Sequence, residues 1–385
     1  MENDCRYFPT CGGCDFRDKT YAEQLEYKEK FCRNLLARFS VSDFPLIIPS
    51  PQTDYYRHRM DFCAGVAQEG ILLGMRQKSR SMAVVDIESC KVFFKGIGDI
   101  LEVFRKWAKD HSIGAYELYK RSGEFRYVSL RHSKTSGQVM VVGVFALTPD
   151  EFCAQKQKFQ DLSERLRKIP EVASIYFCLN NKFSDETMSD DLRFWSGEKY
   201  IKERINGMDY LVSPTIFLQS NPLACNKLYE AIKQVAVSCA TAGGEILDMY
   251  CGSGGITLQL AQIPGKITAV DNSQRNIEDA RENAKLNGIN NIEFVCEDAE
   301  AFLAKVKPGE FSTLILDPPR QGLSKKTLKA VLDCGIENII YVSCNPLNLR
   351  QDLLLLTQFY KVNKAIPVDM FPHTRHIELV VSLSK

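Results

Sequence analysis

Two side chains near the carboxyl-terminal end of the sequence have the types needed for covalent chemistry on a nucleic-acid base. Cys344, within residues 342–346, would supply a thiolate nucleophile, and Glu378 would supply a carboxylate base. Carbon 5 of uracil is a poor nucleophile, so a thiolate must first add to carbon 6 to give an enolate that can attack a sulfonium methyl group. The proton on carbon 5 then leaves to a base, and the thiol is expelled. This pair of residues therefore predicts methyl transfer to a pyrimidine.

A glycine-rich turn at residues 248–255 follows a predicted strand and precedes a predicted helix. Ligands bind at the carboxyl ends of such strands, where glycines let the backbone approach closely. Thr257 stands where a dinucleotide fingerprint would have its third glycine, so a pyrophosphate ligand is disfavoured. Asp271 could accept both ribose hydroxyls of a nucleoside, and Asp298 could pair with the adenine amino group. In the alternative interpretation a helix is capped at Asp271 or Asn272, and Asp298 is a surface turn residue.

A turn with two consecutive prolines, at residues 317–322, follows the predicted strand at residues 313–317. The prolines stiffen the turn and remove backbone donors, so Asp317 is expected to point into the pocket. Its carboxylate would suit the imide N–H of uracil. The alternative is that the proline pair only stiffens a loop.

Cysteines are dense near the amino terminus, where three lie within ten residues, and a fourth lies far along the chain. The chain has 14 cysteines, and its first residues lack the pattern of a secretion signal. Metal ligands and catalytic thiols are therefore favoured over a disulfide framework. Four thiolates can hold a cubane iron–sulfur cluster or zinc, and the spacing leaves both open. The predicted ligands are Cys5, Cys11, Cys14 and Cys90.

The elements that must position these residues fall into two regions, residues 1–204 and residues 205–385. The second region alternates strand and helix, which predicts an α/β fold with a doubly wound parallel sheet. Its predicted strands are 246–248, 267–271, 292–296, 313–317 and 339–343, with a helix at 273–286. The last segments, 364–370 and 377–383, are expected to pair as an antiparallel edge.

In the first region the hydrophobic residues follow no single clear periodicity, and this pattern predicts a mixed α+β domain. Apolar residues at helical spacing predict a helix over residues 21–39. The β-rich runs at 125–131, 139–145 and 172–179 predict strands, and a charged stretch at 150–167 predicts a helix.

The composition is that of an ordinary soluble protein: 385 residues, 45% hydrophobic and 25% charged, without an apolar run long enough for a membrane span. A cytoplasmic location is expected.

The net charge of +1 argues against a uniformly basic surface, so any RNA contact must be local. Basic and aromatic side chains interleave between residues 53 and 135 and could hold phosphates and stack bases, or could form a solvated sheet face. The basic ones are Arg57, Arg59, Arg76, Lys78, Arg80, Lys120, Arg121, Arg126 and Arg131, and the aromatic ones are Tyr55, Tyr56, Phe62, Tyr119, Phe125 and Tyr127.

Five motifs in order along the chain resemble the RNA uracil carbon-5 methyltransferases, which make 5-methyluridine with S-adenosylmethionine. They lie at residues 217–221, 248–252, 317–322, 343–346 and 369–374, the last leading to Glu378. The resemblance implies a Rossmann-like class I methyltransferase domain with Cys344 as nucleophile and Glu378 as base. It also implies a cofactor and target pocket lined by Gln219, Tyr250, Asp271, Asp298 and Asp317. Two positions depart from the family pattern: Tyr250 replaces the usual Phe, and Gly255 replaces a more polar residue.

The cysteine pattern is similar to that of the ribosomal RNA members, which carry a 4Fe–4S cluster, whereas bacterial tRNA members usually lack it. The small β-barrel RNA-binding module of some members has no room before Cys5. The resemblance thus implies an enzyme acting on a uridine of 23S rRNA. The protein is expected to be a monomer. A tRNA uridine methyltransferase is the main alternative. A nicotinamide-dependent oxidoreductase and a non-catalytic RNA-binding protein are further alternatives, but neither requires the Cys344–Glu378 pair.

Overall fold

The computed structural model describes residues 5–239 and 244–385 and divides into two compact units. The N-terminal unit contains the described residues before Thr20 together with Thr53–Glu203 and Val212–Thr215. The C-terminal unit contains Thr20–Gln52, Arg204–Leu211 and Ile216–Lys385. Residues 20–52, which the sequence analysis assigned to the first region, thus cluster with the C-terminal unit. A functional division near residue 204 stays a prediction.

Helix α1 (Tyr21–Leu36) opens the C-terminal unit and is followed by a 3₁₀ turn at Ala37–Phe39, as predicted for residues 21–39. It begins at Thr20, whose hydroxyl accepts the N–H of Glu23 while the Glu23 carboxylate accepts the N–H of Thr20. This capping box satisfies two backbone donors that a helix start would otherwise leave unpaired.

A seven-stranded sheet in the order β3-β2-β1-β4-β5-β6-β7 forms the N-terminal unit. Its elements are β1 (Arg59–Val66), β2 (Ile71–Gln77), β3 (Arg80–Asp86), α2 (Ile97–Asp110), β4 (Phe125–His132), β5 (Val139–Phe145), α3 (Pro149–Ala154), α4 (Lys156–Leu166), β6 (Val172–Leu179) and β7 (Leu192–Gly197). The three predicted strands are confirmed, and the predicted helix at 150–167 is two helices separated at Gln155. Trp107, Phe125, Phe145 and Phe159 pack together between α2, α4 and the sheet. Strands β8 (Ile201–Ile205) and β9 (Met208–Val212) then form a separate two-stranded sheet.

The C-terminal unit is built on a second seven-stranded sheet, in the order β12-β11-β10-β13-β14-β16-β15. Its elements are α5 (Pro222–Cys239), β10 (Ile246–Met249), α6 (Gly255–Leu260), β11 (Ile267–Asp271), α7 (Gln274–Leu286), β12 (Ile292–Cys296), α8 (Ala299–Leu303), β13 (Thr313–Leu316), α9 (Lys325–Cys334), β14 (Asn338–Ser343), α10 (Pro346–Leu356), β15 (Lys361–Val368) and β16 (Glu378–Ser384). Strands β10 to β14 are parallel, so the predicted doubly wound sheet is confirmed. The chain order reverses between β10 and β13, which is where ligands bind in such sheets.

The last two strands pair with each other, as predicted, but they do not simply add to the edge. Strand β16 inserts between β14 and β15 and runs antiparallel to both. Strand β15 is therefore the outer edge and runs in the same direction as β14. Among the described residues, no helix combines the length and apolar character needed to cross a membrane.

Candidate active site

The predicted site residues of the C-terminal unit gather at one edge of its sheet. Asp248 lies near the end of β10, Asp271 ends β11, Asp317 follows β13 and Cys344 follows β14. The parallel pairing of these strands is in register, so their carboxyl ends meet at the same edge. The sheet thus brings three of the predicted site residues together with Asp248 of the glycine turn.

Cys344 and Glu378 lie at the adjoining ends of two paired strands. The antiparallel register of β14 and β16 pairs Ser343 with Leu379, and the next positions along it are Cys344 and Glu378. Cys344 lies just outside β14, and Glu378 is close enough to reinforce the rise in the pKa of its thiol. Cys344 is half-buried and Glu378 is 2% exposed. The fold therefore places the predicted nucleophile and the predicted base side by side.

The electrostatics of this edge favour the neutral form of each acidic group. Burial, reinforced by Glu378 and Asp317, raises the pKa of the Cys344 thiol to about 11. Burial, reinforced by Asp317, also raises the pKa of Glu378 well above its usual range. Burial and the nearby Asp248 raise the pKa of Asp317 to about 7. The Arg320 guanidinium opposes the shifts of Cys344 and Glu378. A cationic ligand at this edge would stabilise the ionised forms.

Arg320 was not predicted as a site residue, although it lies within the prolyl turn at residues 317–322. It is exposed, and its backbone carbonyl accepts the amide N–H groups of Asn345 and Asn348 at 3.1 and 2.6 Å. These bonds join the turn after β13 to the segment that carries Cys344. The sequence feature that could have identified Arg320 as a site residue is its position three residues after Asp317, which was predicted to point into the pocket.

Asp271 holds the glycine turn in place. Its Oδ2 accepts the N–H of Gly252 at 3.0 Å. Its Oδ1 accepts the N–H of Ser273 at 2.9 Å and the side-chain amide of Asn276 at 3.0 Å. Ser273, whose hydroxyl accepts the N–H of Asn276, is the N-cap of α7. The capping residue is therefore neither Asp271 nor Asn272, which were the candidates of the alternative interpretation.

The remaining predicted pocket residues lie around the same turn. The Ser253 hydroxyl donates to the carbonyl of Phe217 at 2.7 Å, which brings the segment of buried Gln219 beside the turn. Tyr250 is half-buried, and burial together with the charge of Asp298 raises its pKa. Asp298 is exposed, and its Oδ1 accepts N–H groups at the start of α8. This cap matches the surface alternative for Asp298 and leaves its adenine contact a prediction.

The absence of a side chain at Gly255 has a packing reason. A Cβ built at this position would lie 2.4 Å from the hydroxyl oxygen of Tyr229, which is buried in α5. Real Cβ atoms do not approach an oxygen so closely, so a larger residue at Gly255 requires Tyr229 to move. Gly255, which departs from the family pattern, thus leaves the space that the bulky Tyr229 side chain of α5 occupies.

Gly255→Ser is expected to destabilise the protein by about 1–3 kcal/mol, because the added side chain overpacks a filled site. Tyr229→Phe in the same chain should recover most of this loss, since it removes the clashing oxygen. Urea denaturation of the wild type, the two single variants and the double variant gives the coupling between the two positions. Additive effects would show that the contact with Tyr229 is not the cause.

The four cysteines predicted as metal ligands line one cavity in the N-terminal unit, and Arg17 lines it with them. Burial raises the pKa of Cys11 and of Cys14 to about 11, with small contributions from the other thiols. The thiols are therefore close enough to interact. Within residues 5–239 and 244–385, no three His, Cys, Asp or Glu side chains converge closely enough to hold a metal ion as they stand. Metal ligation by Cys5, Cys11, Cys14 and Cys90 stays a prediction.

Several residues expected to contact RNA have structural roles instead. Arg126 is 4% exposed and donates to carbonyls of residues 180–184, while Arg131 is 1% exposed and donates to the carbonyl of Pro214. Arg121 remains exposed and lies 4.5 Å from the ring centroid of Phe183, an exposed aromatic residue that the sequence analysis missed. Four of the aromatic residues that were expected to stack on RNA bases are buried in the protein: Tyr56, Phe62, Phe125 and Tyr127.

Comparison with known proteins identifies the family. The model of the tRNA (uracil-5-)-methyltransferase family matches residues 20–385. The chain belongs to this family. It is an RNA uracil carbon-5 methyltransferase, which confirms the enzyme class expected from the motifs. The match begins at the residue that caps α1, so the family region includes this helix.

Individual relatives span almost the whole chain. The tRNA (uracil(54)-C(5))-methyltransferase of Pyrococcus furiosus is 34% identical over 99% of this chain and 85% of its own length. An uncharacterized RNA methyltransferase of Clostridium tetani is 30% identical over 100% of this chain and 84% of its own length. The crystal structure of the Pyrococcus abyssi tRNA (uracil-54, C5)-methyltransferase in complex with S-adenosyl-L-homocysteine has a TM-score of 0.77. It is 32% identical and covers 97% of this chain and 86% of its own.

Proposed function

We propose that this protein methylates carbon 5 of one uridine in a structured RNA with S-adenosylmethionine as methyl donor, using Cys344 as nucleophile and Glu378 as base. The observation that carries the proposal is the placement of these two residues at the adjoining ends of β14 and β16, where Glu378 reinforces the rise in the pKa of the Cys344 thiol, at the ligand-binding edge of the sheet. Both the addition step and the proton removal act on adjacent carbons of one ring. Neighbouring side chains are therefore what the reaction needs.

The proposed reaction has three steps. The Cys344 thiolate adds to carbon 6 of the uracil, and the resulting enolate forms a bond from carbon 5 to the donor methyl group as the sulfonium–carbon bond breaks. The Glu378 carboxylate then removes the proton from carbon 5. The electrons of that bond restore the carbon 5–carbon 6 double bond and expel the thiolate. The products are 5-methyluridine, S-adenosylhomocysteine and one proton.

The charges of the site support a sulfonium donor. Asp317 and Glu378 reinforce the rise in the pKa of the Cys344 thiol, and Asp317 reinforces the rise in that of Glu378; a positive sulfonium nearby would offset this repulsion. Asp271 would accept the ribose hydroxyls beside the glycine turn, and Gln219, Tyr250 and Asp298 would line the remainder of the pocket. The Pyrococcus abyssi relative, which binds the demethylated product, supports the same donor for this chain.

The cysteine pattern supports 23S rRNA as the substrate. A specific observation favours tRNA as a second candidate, because the Pyrococcus relatives are named for uracil 54 of tRNA. Either RNA must present its uridine outside the base stack, which costs a few kcal/mol. Exposed Arg121 and Phe183 are candidates for contacts with the surrounding loop.

Gene deletion tests the function and separates the two substrates. Ribosomal RNA and tRNA are purified separately from the deletion strain and its parent, and 5-methyluridine is measured in each by nucleoside mass spectrometry. Loss confined to 23S rRNA supports the first candidate, and loss confined to tRNA supports the second. No loss in either pool, together with no methylation of either RNA by the purified protein, would refute the proposed reaction.

We also propose that Cys5, Cys11, Cys14 and Cys90 bind a 4Fe–4S cluster, with zinc as the alternative. Four thiols around one cavity are the donor set that both groups use. A bound cluster would tie the N-terminal loop to the segment of Cys90. The carboxylate and thiol that act on uracil lie in the other unit, so the cluster is assigned a structural role.

Protein purified without oxygen should contain iron and acid-labile sulfide in equal amounts and show visible charge-transfer absorption. Cys90→Ser should lose most of the iron and this absorption, because the cluster would lack one ligand. Cys153→Ser is the matched control, since Cys153 is an exposed thiol of the same unit. Stoichiometric zinc without sulfide would select the alternative, and neither metal in the wild type would refute the site.

A further inference from the structure

The loop that precedes Glu378 is anchored by helix α1. We call residues 369–377, which join β15 to β16, the base loop. The Lys28 ammonium donates to Asp369 Oδ1 at 2.6 Å and to the carbonyl of Phe371 at 3.0 Å. Lys28 is 1% exposed and Asp369 is fully buried. Removing two charges from water is costly, so such a pair persists only when its geometry is good.

A second contact from α1 holds the middle of the base loop. Gln24 Oε1 accepts the N–H of His373 at 2.7 Å, and Gln24 Nε2 lies 3.2 Å from His373 Nδ1. His373 has a φ of 66°, a conformation that few residues other than glycine adopt. Both polar ends of one buried glutamine side chain therefore hold His373 in this conformation.

A third contact extends the network to the pocket segment. The Tyr21 hydroxyl donates to Asp369 Oδ2 at 2.9 Å and accepts the N–H of Ser50 at 2.7 Å. The Asn221 side-chain amide donates to the Ser50 hydroxyl at 3.1 Å and to the carbonyl of Met370 at 3.0 Å. Asn221 lies two residues after Gln219, so one buried network joins α1, the base loop and the predicted donor pocket.

We infer that α1 orients the base: Lys28 and Gln24 are positioning residues that hold the base loop so that Glu378 faces Cys344. This inference rests on the proposed roles of those two residues. Only four residues separate His373 from Glu378. In the part of the chain that the structure describes, no hydrogen bond is found to the Glu378 carboxyl, so its backbone, which pairs with Val368 of β15 and continues directly from the base loop, sets its position. Loosening the loop would therefore misplace the base while leaving Cys344 on its own strand.

This arrangement predicts which step fails when α1 is altered. Thiolate addition and methyl transfer depend on Cys344 and the donor, whereas proton removal from carbon 5 depends on Glu378. A displaced base slows only the last step. The methylated RNA then stays bonded to Cys344, so a covalent protein–RNA adduct accumulates during turnover.

The test uses the full-length protein with Lys28→Met and Gln24→Leu, assayed with unmodified substrate RNA and S-adenosylmethionine. Each variant is expected to show a kcat lower by about 10- to 100-fold, as for a base misplaced by about 1 Å. Denaturing gels should show a larger fraction of protein in a methylated RNA adduct than in the wild type. Lys30→Met is the control, because Lys30 is exposed on the same helix. It should match the wild type in both readouts.

The outcomes separate the two proposals. If Lys28→Met does not fold because Asp369 is left buried and unpaired, Gln24→Leu, which leaves no buried charge, carries the test. Folded variants that turn over more slowly without accumulating adduct, or that turn over at the wild-type rate, overturn the positioning role. A wild-type protein that forms no adduct with 5-fluorouridine RNA overturns the Cys344 mechanism itself.

Discussion

Cys344→Ala is expected to lower methyl transfer to RNA by on the order of 10⁴- to 10⁶-fold, as removal of a covalent nucleophile does. Without the thiolate, carbon 5 of uracil does not become nucleophilic, and the methyl group has no acceptor. The rate is measured as labelled methyl incorporation into RNA. Substrate RNA carrying 5-fluorouridine gives a second readout, because fluorine cannot leave as a proton and the adduct of the wild-type protein persists.

Cys296→Ala is the matched control for this experiment. Cys296 is an exposed thiol of the same unit, at the end of β12, and no role in the reaction is proposed for it. The control should incorporate methyl groups and form the fluorinated adduct as the wild type does. Substantial methylation by Cys344→Ala, or an adduct that survives this substitution, would contradict the covalent mechanism.

Glu378→Gln is expected to lower turnover by about 10²- to 10⁴-fold, the usual contribution of a general base. The amide has the shape of the carboxyl group but cannot accept the proton from carbon 5. Addition and methyl transfer would still proceed, so the variant should accumulate a methylated covalent adduct with ordinary RNA. Denaturing electrophoresis and mass spectrometry of the adduct detect the bound RNA and its methyl group.

Measurements of stability show whether the loss of turnover in Glu378→Gln comes from unfolding of the variant. Burial raises the folded-state pKa of Glu378 above its unfolded value, so ionisation of this carboxyl opposes folding as the pH rises. A neutral glutamine avoids that cost, and Glu378→Gln should be at least as stable as the wild type at pH 7 and above. Glu282→Gln, on the exposed face of α7, is the control. Full turnover by Glu378→Gln would refute the base assignment.

The sheet of the C-terminal unit and the chemical residues at its edge could be predicted because each depends on local pattern. Short apolar runs alternate with amphipathic helices, and Asp271, Asp317 and Cys344 come directly at or after strand ends. The proximity of Glu378 to Cys344 could not be derived from local pattern in this way. It depends on β16 entering between β14 and β15, and strand order is a property of long-range pairing.

The role of α1 was hidden for a related reason. Gln24 and Lys28 have polar side chains, which are usually exposed, and their buried partners Asp369 and His373 lie more than 340 residues away. Composition likewise could not separate buried Arg126 from exposed Arg121, because both arginines lie in the same basic stretch. In each case the missing information was which side of an element faces the interior.

The insertion of β16 has a consequence for the order in which the enzyme matures during synthesis. Strands β10 to β14 can pair as they leave the ribosome, but the edge of β14 must wait for β16, which is its partner on that side. Until then the nascent protein carries the proposed nucleophile without the proposed base and presents an open strand edge, which is prone to wrong pairing. The proposed pair of Cys344 and Glu378 is therefore assembled only after β16 has been synthesised and has closed the sheet.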